Sequence, residues 1–187
     1  MFNPYSPYHE PGFGTWKQGV EALPPSEVLI REAERTEQDG RWMRWMQASC
    51  ESTNIHSVED NVSRIGQQFV LLAEIADHPV GFCCVLAGRT NSDPLFIQLV
   101  TVVPFVRRRG VGIALLNAAA EWQPQRNIAM ATLDENVAAQ RLNERLAQSI
   151  GGNIQRVPAG RFRPSDLGYS RGERHRPWMI NRPQETD

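Results

Sequence analysis

The sequence predicts a mixed α/β fold, a central sheet flanked by helices, on three observations. Apolar runs with the length and continuity of buried strands recur along the chain, at Phe69–Ile75, Val80–Ala87, Leu95–Val103 and Ile128–Leu133. They are interleaved with segments of helical spacing, several opening on a residue that caps helices. A chain of 187 residues, 41% hydrophobic and 22% charged, is long and apolar enough for one full core.

Met1 to Ser26 stands apart. It holds five prolines, at 4, 7, 11, 24 and 25, glycines at 12, 14 and 19, and the aromatics Phe2, Tyr5, Tyr8, Phe13 and Trp16. Proline at that density rules out a regular helix. The aromatics argue against a purely solvated tail. The expectation is an extension, residues 1–26, lying extended across the domain or a partner subunit, with a disordered leader as the alternative. Residues 27–187 form the domain proper.

Within that domain Val28 to Glu34 is β-capable. Thr36 to Cys50 reads as a helix with Thr36 as N-cap and Asp39 three residues on. Ser57 to Ile65 reads as a second helix capped by Ser57. Asp77-His78-Pro79 marks a hairpin between two strands. Gly112 to Trp122 is a helix with Ile113, Leu115, Leu116 and Ala119 toward the core. Val137 to Ile150 is another, stopped by Gly151-Gly152. Two late strands flank Val157 and cover Trp178 to Ile180.

A net charge of -1 excludes a protein that coats nucleic acid or anionic membrane with its whole surface. No apolar run approaches the ~20 residues that span a bilayer. Met1 to Glu10 has neither the basic start nor the apolar run of a secretory leader. Of the three cysteines, Cys83 and Cys84 are adjacent and would point to opposite faces of a strand, which disfavours a mutual disulfide. No Cys/His spacing fits a zinc site, so no metal is expected. The compartment expected is the cytoplasm.

Chemistry concentrates between Val102 and Gly112, where a strand ends at Pro104 and a helix begins near Gly110. The first amides of a helix lack intrahelical acceptors, and their partial charge favours an anion. Gly110 and Gly112 let a phosphate approach the backbone. Arg107, Arg108 and Arg109 add formal positive charge. This is a pyrophosphate cradle. No Lys-Ser/Thr follows the glycines, which excludes a nucleotide P-loop. Leu115 stands where a dinucleotide fingerprint has its third glycine.

The run Val102, Pro104, Arg107, Gly110, Gly112, with Leu115-Leu116 behind it, resembles the cofactor-binding core of the GNAT N-acetyltransferases. Asn136, Ala139 and Leu142 match a second element of that family. The resemblance is close over about a third of the chain. It implies the GNAT acyl-CoA N-acyltransferase fold, with the sheet splayed between the strands ending near Val103 and Leu133. It implies acetyl-CoA as acyl donor and an amine acceptor attacking directly in a ternary complex. It implies backbone pairing of Val102 and Val103 with pantetheine. It places the pyrophosphate on the amides of Arg109, Gly110, Val111, Gly112, Ile113 and Ala114. Arg107 and Arg108 would reach outer phosphates, and Asn136 would contact the cofactor near the sheet opening.

The pattern fails at the tyrosine that many relatives use to protonate the leaving thiolate, where this chain has Asn143. Water or another residue then supplies the proton, or Asn143 is structural with an acid elsewhere, or the chain binds CoA without efficient catalysis. Relatives often carry a carboxylate on the central strand; Phe96 to Thr101 offers none. Glu74, Glu51 and His56 are the weak candidates for the base, so the catalytic residues are unknown at this level. Cys83 and Cys84 read as core. Trp42, Trp45 and Met46 read as a core face, with a wall of the acceptor pocket as the alternative.

Arg156 to Arg182 holds seven arginines plus His175 against Asp166 and Glu173. This excess suits an anionic acceptor, with Arg171 and Arg174 as candidate contacts, or is a solvated loop. The acceptor stays open among a small metabolite or antibiotic amine, a peptide N-terminus, a lysine and charged tRNA, the last being the one nucleic-acid partner retained. No membrane partner is expected, and a homodimer is left open. Competing readings are an acyltransferase for a non-acetyl thioester and a CoA-sensing or interaction module.

Overall fold

The computed structural model describes residues 6–50, 53–170, 172 and 174–183. Its elements are α1 (Phe13–Glu21), β1 (Leu29–Glu32), α2 (Glu37–Ala48), α3 (Val58–Gln67), β2 (Phe69–Ile75), β3 (His78–Ala87), β4 (Leu95–Val102), α4 (Val111–Glu121), β5 (Ile128–Leu133), α5 (Val137–Ser149), β6 (Asn153–Arg156) and β7 (His175–Asn181). The strands hydrogen-bond in the order β1-β2-β3-β4-β5-β7-β6, a mixed seven-stranded sheet. β1 is antiparallel to β2, β4 parallel to β5, and β7 antiparallel to both β5 and β6. The chain divides into two compact units, Met1–Cys83 with Val100–Leu115, and Cys84–Leu99 with Leu116–Asp187. β3, β4 and α4 each contribute residues to both.

In the first unit the cap residues do what their chemistry allows. Thr36 Oγ1 accepts from the Asp39 amide at 3.2 Å, and Ser57 Oγ accepts from the Asp60 amide at 3.0 Å. Each such cap stabilises its helix by about 1 kcal/mol. β2 is nearly continuous apolar residue and nearly all buried, the pattern of a strand covered on both faces. The hairpin turn is Ala76-Asp77, both at positive φ (46° and 63°), one residue earlier than the proline signal placed it. β3 therefore begins at His78 and carries Pro79 near its start.

The N-terminal segment departs from expectation. Phe13–Glu21 is a regular helix, preceded by a 3₁₀ turn at Pro7–His9. The reason is local: all five prolines fall outside these nine residues, and Phe13, Trp16 and Val20 repeat at helical spacing. Those three side chains are buried. Phe13, Trp16 and Trp45 meet pairwise with ring centroids 5.7–5.8 Å apart, and Trp42 packs edge-on against Trp45 at 5.0 Å. The indole N–H groups of the buried Trp16 and Trp45 are satisfied too. Trp16 donates to Pro79 O at 3.1 Å and Trp45 to Glu10 Oε2 at 2.7 Å. The other Glu10 oxygen accepts from Arg44 Nε at 2.6 Å.

Arg31 fastens β1 to α2 and β2. It donates to both oxygens of Asp39, at 2.8 and 2.9 Å, and to Glu74 at 2.8 Å. Burial alone would push the Asp39 carboxyl up; the Arg31 fork and the Glu34 amide more than reverse this, so it titrates below the usual carboxylate range. A carboxyl depressed in the folded state contributes stability that is present above its unfolded pKa and is lost as pH falls toward its folded one. Asp39→Asn is accordingly expected to lower stability at neutral pH by about 2 kcal/mol, the range for a hydrogen-bonded charged pair. It is also expected to flatten the loss of stability below about pH 4, where free aspartate titrates. Denaturant midpoints measured across pH check both effects.

In the second unit β5 is the centre, paired to β4 on one side and β7 on the other. Leu116 and Ala119 of α4 are buried, as are Leu146 and Ala147 of α5. Asn136 caps α5, accepting from the Ala139 amide at 3.0 Å. At the other end the Gly151 and Gly152 amides return to Gln148 O and Ala147 O. Cys50, Cys83 and Cys84 are buried thiols outside any disulfide. Among the described residues no helix is long and apolar enough to cross a membrane, and no cluster of three metal-ligating side chains is present.

Candidate active site

The cradle lies in the first unit. β4 ends at Val102, a 3₁₀ turn occupies Pro104–Val106, and α4 starts at Val111. Between them Arg108 (φ 66°) and Gly110 (φ 83°) take left-handed conformations that reverse the chain into the helix. A side chain on Gly110 would meet no protein atom within 4 Å, so the space over its backbone is open. Ala114 N donates to Gly110 O at 3.0 Å, the first bond of α4. The amides of Val111, Gly112 and Ile113 precede that bond and have no partner within the helix. Arg109 N already donates to Val106 O at 3.4 Å. Within the expected 109–114 stretch, the amides of Arg109 and Ala114 are thus spent on Val106 O and Gly110 O.

The three arginines are not equivalent. Arg107 Nε turns back to Val102 O at 3.2 Å, a carbonyl that also accepts from Cys50 Sγ at 3.5 Å. Burial pushes the Cys50 thiol up, opposed by the Arg107 guanidinium, so Cys50 stays protonated at neutral pH. Arg109 Nη1 donates to Leu23 O at 2.9 Å and Pro24 O at 3.2 Å, tying the loop to the chain that follows α1. Arg108 has no ion pair or side-chain hydrogen bond among the described residues and is exposed. Val103 is buried, and its amide donates to Val80 O at 2.9 Å. Beside it the buried Thr101 Oγ1 has no hydrogen-bond partner.

In the second unit the parallel pairing of β4 and β5 runs through Leu95↔Ile128, Phe96↔Ala129 and Ile97↔Met130 and stops. β5 continues to Leu133, still paired to β7 as far as Leu133↔His175. On its β4 side β5 has no ladder partner from Ala131 on among the described residues. Asn136 is exposed, with its oxygen spent on the cap. Asn143 is 7% exposed, and its Nδ2 has no hydrogen-bond partner among the described residues. A buried amide donor without an acceptor costs about 1–3 kcal/mol, so something must repay it.

The other candidates are placed as follows. Glu74 holds Arg31 at 2.8 Å and is committed to that ion pair. The His56 backbone is pinned from both sides, its amide donating to Gln47 Oε1 and its carbonyl accepting from Arg44. Its ring lies 3.4 Å from Arg64, and burial first, then the Arg64 charge, lower its pKa against the pull of Asp60. Its imidazole is neutral at pH 7. Trp45 is 3% exposed and Trp42 half-buried, and both line a groove of about 540 Å³ with Trp16, Arg41 and His78. Arg174 is exposed. Glu51 and Arg171 lie outside the described residues.

Sequence reasoning missed one feature of the second unit. A cavity of about 490 Å³ is lined by Arg89, Phe96, Arg161, Phe162, Arg163 and Asp166, among others. These residues come from three separate stretches of chain, so no local pattern could have flagged them. The arginine excess after Arg156 was the one signal available.

Comparison with known proteins agrees with this geometry. The family model described as acetyltransferase (GNAT) family matches residues 30–147. No curated protein matches the chain. A diaminobutyrate acetyltransferase from Paenibacillus lautus, solved with L-2,4-diaminobutyric acid and coenzyme A, superposes with a TM-score of 0.66 at 20% identity, covering 84% of this chain and 96% of its own. The ribosomal-protein-S18-alanine N-acetyltransferase of Escherichia coli gives 0.61 at 16% identity, covering 86% and 97%. A Bacillus subtilis acetyltransferase solved with CoA gives 0.56 at 14% identity, covering 84% and 100%. Likeness at these identities establishes a shared fold.

Proposed function

The chain belongs to the GNAT acetyltransferase family, and we propose that it transfers the acetyl group of acetyl-CoA to an amine by direct attack in a ternary complex. One observation carries this reading: an open glycine at φ 83° leads into a helix whose first amides are unpaired, beside an exposed arginine. That combination fits a diphosphate and lets it reach the backbone. In this reading residues 27–187 are the catalytic domain and 1–26 an extension of it. The three cysteines outside any disulfide suit a cytoplasmic setting.

When bound, the thioester supplies an electrophilic acyl carbon. The amides of Gly110 to Ile113 hold the diphosphate, and Arg108 adds charge at its edge. Val102 offers backbone to the pantetheine arm; Arg107, now on Val102 O, must release it. The acceptor enters as an ammonium and loses one proton before attack. A carbon–nitrogen bond then forms and the carbon–sulfur bond breaks. The nitrogen sheds a second proton as the amide forms, and CoA leaves as a thiolate that takes up one proton. Asn143 Nδ2 donates to the departing sulfur, which accounts for a buried donor left unpaired by the protein itself. An amide cannot surrender that proton, so the thiolate is protonated from water.

Calorimetric titration with acetyl-CoA, followed by a mass-spectrometric screen of amine acceptors, tests the reading. Absence of CoA binding would overturn it. Asn143→Leu separates the two roles of the amide. Stability is expected to hold or rise by about 1 kcal/mol, because an unsatisfied buried donor is removed without a cavity. Turnover is expected to fall about tenfold with CoA affinity little changed. Unchanged turnover would make Asn143 a bystander.

A further inference from the structure

The arginines from Arg156 to Arg182 separate by partner. Arg156 and Arg176 both pair with Asp134, at 3.2 and 3.0 Å. Arg182 donates to Arg126 O and Ala120 O. Arg161 and Arg163 have no carboxylate partner among the described residues, and both face the 490 Å³ cavity, where Arg89 joins them from the β3–β4 loop. Three guanidiniums without a carboxylate partner among the described residues share one concave surface, a lining that suits an oxyanion.

Its floor is apolar. Phe96 and Phe162 pack edge-to-face with centroids 5.3 Å apart, and Arg161 lies over Phe162 at 5.9 Å. Two carboxylates also line the cavity. Asp93 is committed to the Thr90 amide at 2.8 Å. Asp166 has no ion pair among the described residues.

The position of Asp166 is fixed by the central strand. Gln98 Nε2 donates to Ser165 O at 2.9 Å and Asp166 O at 3.0 Å. Gly168, at φ 78°, presses so closely on Gln98 that a side chain there would lie 2.7 Å from Gln98 O. Gln98 is the first β4 residue beyond the last β4–β5 pair, Ile97↔Met130. The Asp166 backbone is therefore tied to the strand where the sheet begins to open. Phe96, two residues earlier on the same face of β4, roots the cavity about 7 Å away along the strand.

We propose that this cavity is the acceptor pocket, and that it takes an amine which also bears an oxyanion and an apolar body, an amino carboxylate or amino phosphate. The oxyanion sits on Arg89, Arg161 and Arg163, the apolar body on Phe96 and Phe162, and the ammonium beside Asp166 toward the opening. The proposal rests on the acetyltransferase reading.

The test uses the full chain with L-phenylalanine, 3-phenylpropanoate, which lacks the amine, and phenethylamine, which lacks the carboxylate. In NMR titrations the amino acid is expected to bind at least tenfold tighter than either fragment. Arg161→Gln/Arg163→Gln should erase its advantage over phenethylamine, and Asp166→Asn its advantage over 3-phenylpropanoate. Arg145→Gln, an exposed charge on α5, should change neither. With acetyl-CoA present, mass spectrometry should detect N-acetylphenylalanine, and the arginine pair should raise KM for the amino acid about tenfold with CoA affinity intact. The phosphonate analogue of phenylalanine, added as a further probe, distinguishes the two oxyanions: tighter binding than L-phenylalanine assigns an amino phosphate, weaker binding an amino carboxylate. Equal binding of all three probes, or equal loss in Arg145→Gln, would overturn the pocket. Binding without acetylation, in protein that binds CoA, would overturn its role as acceptor site. Loss of CoA binding itself would instead fell the acetyltransferase reading.

Discussion

Gly110→Val is expected to weaken CoA binding at least tenfold while the protein remains folded. Gly110 sits at φ 83°, where a β-branched residue is strained by about 1–3 kcal/mol. Relaxing that strain rotates the amides of the first helical turn away from a common point. The added side chain would also enter the open space over the loop, which no protein atom occupies within 4 Å. Folding should survive, because nothing in the protein clashes with the new atoms. Gly110→Asn separates the two causes, since asparagine tolerates the left-handed region but still adds bulk. Recovery of affinity in Asn would assign the loss to the backbone; equal loss would assign it to occupied space. Calorimetry with CoA and thermal melts measure both. Unchanged affinity in both variants would remove the cradle from the cofactor site.

The largest effect on stability is expected from Trp16→Ala, at about 3–5 kcal/mol. Trp16 is 5% exposed, touches Phe13 and Trp45, and donates its indole N–H to Pro79 O. Removing it opens a cavity in the aromatic cluster and leaves that carbonyl without its donor. For a chain of this size the melting temperature should fall by roughly 6–20 °C. Lys17→Ala, on the same helix, loses only a half-exposed pair with Glu21 at 3.9 Å and should change stability by less than about 0.5 kcal/mol. A small effect at Trp16 would mean that α1 is docked without contributing to the core. Disordering of residues 6–25 alone, seen as selective proteolysis, would mean that the segment unfolds separately from the rest.

Much of this protein was legible in its residues because the deciding interactions are short-range. The helix starts at Thr36, Ser57 and Asn136 are side-chain-to-amide bonds spanning three residues, and any chain segment with that spacing can make them. The strands from Phe69 to Ile75 and Ile128 to Leu133 announced themselves by continuous apolar residues, because strands covered on both faces admit little else. The strand end at Val102 and the helix start at Val111 were legible for the same reason, because strand, glycine and helix start are contiguous in sequence. The α1 helix was also written locally, in a proline-free stretch of nine residues, but counting prolines over the whole of 1–26 obscured it.

What only the tertiary structure decided is the choice of partners across long separations in sequence. Arg107 folds back on Val102 O, Arg109 reaches Leu23 and Pro24, and Arg108 alone stays uncommitted, although the three are adjacent and identical in type. Glu74 carries the charge of a base but is held by Arg31. The late arginines divide between Asp134, backbone carbonyls and the cavity for equally non-local reasons. A side chain's type fixes what it can bond, and its neighbours in sequence fix the backbone it stands on. Which acceptor lies within three ångströms is set by the packing of distant segments, and that is where an arginine becomes a strut or a ligand site.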